Sequence, residues 1–115
     1  MLEPLLLGLL LASPHAGTLD PELIRGVVRG HADQVRACYE RELPAHPKLR
    51  GKVAVKFTIR PSGGVAEARV TRSTVSNPRL EKCISGRVRT WIFPKPTGGG
   101  SVSVTYPFVL KQSGE

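Results

Sequence analysis

Two rhythms of apolar residues divide the chain. One recurs every three or four positions and the other every second position. From Asp20 the first rhythm holds. Leu23, Ile24, Val27, Val28, His31, Val35, Cys38 and Tyr39 share one face at about 100° per residue, with Arg25, Arg29, Asp33, Arg36 and Glu40 opposite. Asp20-Pro21-Glu22 starts this helix with an N-cap aspartate, proline at the first helical position and an acid in the first turn. The pattern predicts a helix to about Leu43, stopping before Pro44 and Pro47. Gly26 and Gly30 each weaken it by about 1 kcal/mol relative to alanine, so packing must hold it.

The second rhythm begins at Gly51. Val53, Val55, Phe57 and Ile59 alternate with Lys52, Lys56, Thr58 and Arg60 at the polar positions. Pro61-Ser62-Gly63-Gly64 is a turn, and residues 65–71 return with Ala66, Ala68 and Val70 inward and Glu67, Arg69 and Thr71 outward, completing a hairpin. Asn77-Pro78 opens a second helix whose stripe is Leu80, Ile84, Val88 and Trp91, with Cys83 at its margin. A proline- and glycine-rich bend follows, and alternation resumes from Ser101 to Phe108.

The order helix, strand, strand, helix, strand predicts an α+β domain of two layers. A right-handed crossover through the second helix sets the third strand beside the first, giving a three-stranded antiparallel sheet in the order 2-1-3. Both helices then cover one face, in the topology αββαβ. The third strand is left at an edge, where Pro107 is tolerated. Its residues Ser101, Val102, Ser103, Val104 and Thr105 offer backbone groups to an extended partner segment. Lys52, Lys56 and Arg60 form a basic sheet face that favours acidic residues in that segment.

Composition narrows the partners. The 115 residues carry 17 Lys and Arg against 9 Asp and Glu, a net charge of +8. That excess suits anionic surroundings: nucleic acid, lipid headgroups or an acidic envelope polymer. The cations are scattered rather than run together, and stacking platforms are missing, which argues against nucleic acid. Residues 5–12 are apolar but far short of the roughly 20 residues that span a bilayer. They have the length of a signal-peptide core, so residues 1–16 are expected to be a leader and 17–115 a single exported domain. Glu3 and Pro14 depart from that pattern.

In an exported chain the two cysteines, Cys38 and Cys83, suggest a bridge between the two helices; buried free thiols or a zinc site are the alternatives. No paired carboxylates, metal-ligand spacing or nucleophile-base set appears, so no catalytic residue, cofactor or metal is expected. Gly98-Gly99-Gly100 has the composition of a mobile loop and lacks the Lys-Ser/Thr of a phosphate cradle.

Several short motifs recur together: Cys38-Tyr39-Glu40, Phe57-Thr58-Ile59-Arg60-Pro61-Ser62-Gly63, Ser73-Thr74-Val75, Cys83-Ile84 and Trp91-Ile92-Phe93-Pro94-Lys95-Pro96. With Gly98-Gly99-Gly100 and Val104-Thr105-Tyr106-Pro107-Phe108, their order and spacing resemble the AgmX/PglI C-terminal domain, a TonB-C-like module. The resemblance runs from about Asp20 to Leu110. It implies a periplasmic or secreted cell-envelope module, related to gliding-motility and transport proteins, that binds an envelope partner, in some relatives one of the outer membrane, by strand addition. TonB-like transducers carry a membrane helix and a long spacer before this domain, whereas here a short leader meets the first helix. Fold and location therefore carry over, and energy transduction does not. The expected function is non-enzymatic protein binding or scaffolding; the alternative is docking of a basic domain on anionic peptidoglycan or lipid headgroups.

Overall fold

A computed structural model describes residues 16–112 of the chain. The expected leader lies outside the described residues apart from Ala16. Among the described residues three helices, α1 (Pro21–Gly30), α2 (Ala32–Glu42) and α3 (Pro78–Val88), join three strands, β1 (Gly51–Ile59), β2 (Val65–Ser73) and β3 (Val102–Leu110). The sheet runs β2-β1-β3 with both pairings antiparallel, as the sequence pattern predicts. β1 lies in the centre, so its inward row meets neighbours on every side. Val53, Val55, Phe57 and Ile59 are fully buried. The helices close over that row with Ile24 and Val28 from α1, Val35, Cys38 and Tyr39 from α2, and Leu80, Ile84 and Val88 from α3.

The first expected helix is two. Asp20 caps α1 by accepting the Glu22 N–H at 2.8 Å, and Pro21 follows at the first position. Gly30 ends it, and His31 at φ −110°, ψ 15° leaves the helical region. The apolar stripe continues across the break, which is why periodicity alone does not reveal it. Its outer member Leu23 is 48% exposed, a departure from the expected buried face.

Trp91 explains what the break accomplishes. The expected second stripe includes Trp91 in a helix, yet α3 ends at Val88 and Trp91 follows two turn residues. Its indole is 1% exposed, stacks on the His31 ring at a centroid distance of 4.8 Å, and donates from Nε1 to Gln34 Oε1 at 2.8 Å. It also meets Phe108 of β3 edge-on at 6.2 Å. One side chain thus ties the α1–α2 joint to the sheet.

β2 departs from simple alternation. Its register against β1 shifts between Ala54 and Val55 and again between Phe57 and Ile59. These bulges turn Ala66, expected inward, out to solvent, while Val65 and Ala68 stay buried.

Two links clamp α2 to α3. Cys38 and Cys83 form a disulfide. One turn further along α2, the nearly buried Glu42 carboxylate accepts from Asn77 Nδ2 and from Arg79 Nε, each at 3.2 Å. Asn77 meanwhile caps α3 by accepting the Leu80 N–H at 3.0 Å. The Asn77 hydrogen bond first, and then that of Arg79, hold the Glu42 carboxyl below the ordinary glutamate range. A depressed folded-state pKa stabilises the fold above the unfolded value, and that contribution is lost as pH falls through the folded value. Urea midpoints followed downwards from neutral pH should therefore decline less steeply in Glu42→Gln than in wild type. Parallel acid limbs would show that this carboxylate does not contribute.

Candidate functional site

A three-stranded sheet leaves two outer edges, and the chain treats them differently. The β2 edge is interrupted by its two bulges, and Arg89 Nη2 donates to the Ala68 carbonyl at 2.9 Å. Both devices disfavour an added strand. β3 pairs with β1 through nine consecutive residues, from Gly51↔Leu110 to Ile59↔Val102, with no shift in register. Its outer side is therefore straight and regular.

Alternation decides which groups that edge presents. In an antiparallel ladder, a residue directs both its backbone groups at its neighbour and the next directs both away. The Ser101 carbonyl faces outward, because it accepts the Gly17 N–H at 3.0 Å. By alternation Ser103, Thr105, Pro107 and Val109 also turn outward, while Val102, Val104 and Tyr106 pair with β1. Pro107 thus has its missing N–H where no ladder bond is lost. Outward N–H groups of the expected binding stretch remain at Ser103 and Thr105.

Ser101 and Val102 need separate treatment. Ser101 precedes β3 and already belongs to a parallel bridge with Ala16. Beside it, Thr18 and Thr97 exchange backbone hydrogen bonds at 3.0 and 2.9 Å. Gly17 fits here because a Cβ would collide with the Gly100 carbonyl. The expected mobile glycine loop is accordingly held by residues 16–18. Among the described residues, the free edge begins after Ser101.

Side chains define the two faces of this edge. Ser103 and Thr105 are exposed on the uncovered side of the sheet, opposite Thr58 and Lys56. Val102, Val104 and Tyr106 lie half-buried on the helix side, packed against the core from its margin. From Tyr106 onwards a groove of about 420 Å³ runs between β3 and the helices, with Val28, Ala32, Val35 and Tyr39 on its helix wall and residues 106–111 opposite. Its rim carries Arg29, Arg36 and Lys111. Arg36 pairs with Asp33 at 2.8 Å and Arg29 reaches Glu22 only at 3.9 Å.

The expected basic face is partly regrouped. Lys52 and Lys56 stand on the uncovered side of β1, one strand from the β3 edge. Arg60 lies just past β1, and its Nη1 donates to the Val65 carbonyl at 3.3 Å, which anchors the hairpin turn. Cys38 and Cys83 lie on the far side of α2, away from the edge, in the disulfide. The groove and the Gly17 clasp escape sequence reasoning, because both depend on where the break at His31 and the chain before α1 fall in space. Among the described residues no cluster of three or more His, Cys, Asp or Glu side chains could hold a metal ion.

No family model matches the chain, and no curated protein matches it. Among solved structures it is similar to the TonB CTD of Pseudomonas aeruginosa, at 27% identity and a TM-score of 0.49, over 67% of this chain and 79% of that one. It is also similar to the TonB-CTD of Helicobacter pylori, at 19% identity and a TM-score of 0.49, over 87% of this chain and all of the other. What the β3 edge can do follows from its own geometry.

Proposed function

We propose that this domain is a non-enzymatic protein-binding module of a cell envelope, and that it takes an extended partner segment as a fourth strand on β3. The observation that carries the reading is the contrast between edges: β2 is bulged and blocked, while β3 is regular and open beyond Ser101. An added strand would pair with the outward groups of Ser103 and Thr105. Alternate side chains of that strand would cover half-buried Val102, Val104 and Tyr106 and enter the groove, so they should be apolar. Those between would face Lys56 and its neighbours, so they should be acidic. The disulfide supports an oxidising compartment, periplasmic or extracellular. Among the described residues no helix is long and apolar enough to cross a membrane.

A peptide alternating valine and glutamate is the direct probe, with a valine-lysine peptide as control. Fluorescence anisotropy should show binding of the first and much weaker binding of the second. Ser103→Pro removes an outward N–H without touching the ladder to β1, and leaves a partner carbonyl unpaired. It should weaken binding at least about tenfold. Unchanged binding by that variant, together with loss on Lys56→Glu plus Arg60→Glu, would place the contact on the basic face and overturn strand addition.

A further inference from the structure

The side of the sheet that none of the described helices covers carries a second surface, which adjoins the β3 edge. Cross-strand partners share a face, so the pairings Lys56↔Arg69 and Ala54↔Arg72 put Arg69 and Arg72 beside Lys52 and Lys56. All four are exposed, and none makes an ion pair among the described residues. On the helices, Arg25, Arg36 and Arg79 each have a carboxylate at 3.2 Å or closer, whereas Arg41, Lys82 and Arg87 have none among the described residues. The three strands contain one acid, Glu67, which lies in the β2 bulge near the turn. The acids are therefore concentrated on the helix layer, and the open sheet is left with cations that no nearby carboxylate offsets.

The rest of this face limits what it can recognise. Across β3 it continues through Ser103, Thr105, Pro107 and Val109, the last 60% exposed. It has no aromatic side chain, since Tyr106 and Phe108 face the helices. Bases and sugar rings are gripped by stacking on aromatic rings, and nothing here offers that. Lys52 and Lys56 are separated by four residues of extended strand, about 13 Å. A flat array of long, flexible cations at that spacing, with an exposed valine at one corner, suits a surface whose charges can move to meet it.

We propose that the uncovered sheet face docks on an anionic phospholipid bilayer, with Lys52, Lys56, Arg69 and Arg72 against the headgroups. The docked sheet leaves the outward backbone groups of β3 directed along the membrane plane, but the acidic side chains of an added strand would meet the same headgroups, so that strand and the bilayer compete for Lys56.

Sedimentation of the whole chain with equimolar phosphatidylglycerol and phosphatidylcholine vesicles tests this. Binding is expected at low salt. It should vanish with phosphatidylcholine alone, and at about 1 M salt, where the screening length falls to about 3 Å. Each cation beside an anionic leaflet contributes about fivefold, so Lys56→Glu plus Arg69→Glu should weaken partitioning at least about 25-fold. Lys56→Gln plus Arg69→Gln should fall between that variant and wild type. Lys82→Glu plus Arg87→Glu changes the net charge equally on the helix layer and should retain most binding. Equal loss in the sheet and helix variants would show that net charge alone drives binding, and would overturn the proposal. So would absence of vesicle binding by wild type, or stronger binding to peptidoglycan sacculi or a single-stranded oligonucleotide than to the vesicles. Ser103→Pro should leave vesicle binding unchanged, so failure of strand addition and failure of bilayer docking are read separately.

Discussion

Reduction of the Cys38–Cys83 bridge is expected to lower the stability of the domain by about 4 kcal/mol. The cysteines are 45 residues apart in sequence, and the link closes a loop that includes the entire β1–β2 hairpin. Opening that loop returns chain entropy to the unfolded state and leaves the folded contacts in place. For a domain of this size the melting temperature should fall by on the order of 20 °C. Replacing both cysteines by alanine should give a loss at least as large, because Cys38 is 1% exposed and its sulfur packs in the core. Denaturant midpoints of the oxidised, reduced and doubly substituted proteins decide the matter. Equal midpoints for the oxidised and reduced forms would contradict the expectation. Two alkylatable thiols in protein recovered from cells would also remove the support for an oxidising compartment.

Truncation at Trp91 should cost a similar amount by a different route. Trp91→Ala removes the largest fully buried side chain, leaves Gln34 Oε1 without its donor, and strips His31 of its stacking partner. Losses of about 3–5 kcal/mol accompany such deletions when the cavity cannot collapse. Here the cavity is bounded by the α1–α2 joint and by Phe108 of β3, so collapse would have to move a helix or a strand. Trp91→Phe should recover much of the loss by refilling the site, though without the indole N–H. Circular dichroism melts are the suitable readout, since Trp91 is the only tryptophan and fluorescence disappears with it. A Trp91→Ala protein within about 1 kcal/mol of wild type would mean that the site relaxes freely, against the close packing expected of a core.

Much of this architecture can be read from the chain because its local signals agree. Asp20-Pro21 and Asn77-Pro78 mark helix starts that the structure places at those residues, with both caps hydrogen-bonded. The alternation of Val53, Val55, Phe57 and Ile59 is clean because β1 is central and one of its faces is sealed. Pro107 identifies an edge, since a proline facing outward costs no ladder bond. Where the reading falls short, the information is not local. His31 sits on the apolar stripe whether or not the helix bends there, and its ring turns to Trp91, 60 positions along in a different part of the fold. The β2 bulges shift Ala66 outward without any break in the apolar-polar pattern that would announce them. Arg69 and Arg72 join the basic face through register, which is set by those same bulges. The groove beside β3 exists only once α1 and α2 are placed.

Backbone amide exchange across β3 tests strand addition most directly. In the free protein, Val104 and Tyr106 donate to β1 and should exchange slowly, whereas Ser103 and Thr105 direct their N–H groups to solvent and should exchange fast. Saturation with the valine-glutamate peptide should protect Ser103 and Thr105 and leave Val104 and Tyr106 much as they were. Continued fast exchange at Ser103 and Thr105 in the saturated complex, with chemical-shift changes confined to Lys52, Lys56, Arg69 and Arg72, would contradict strand addition.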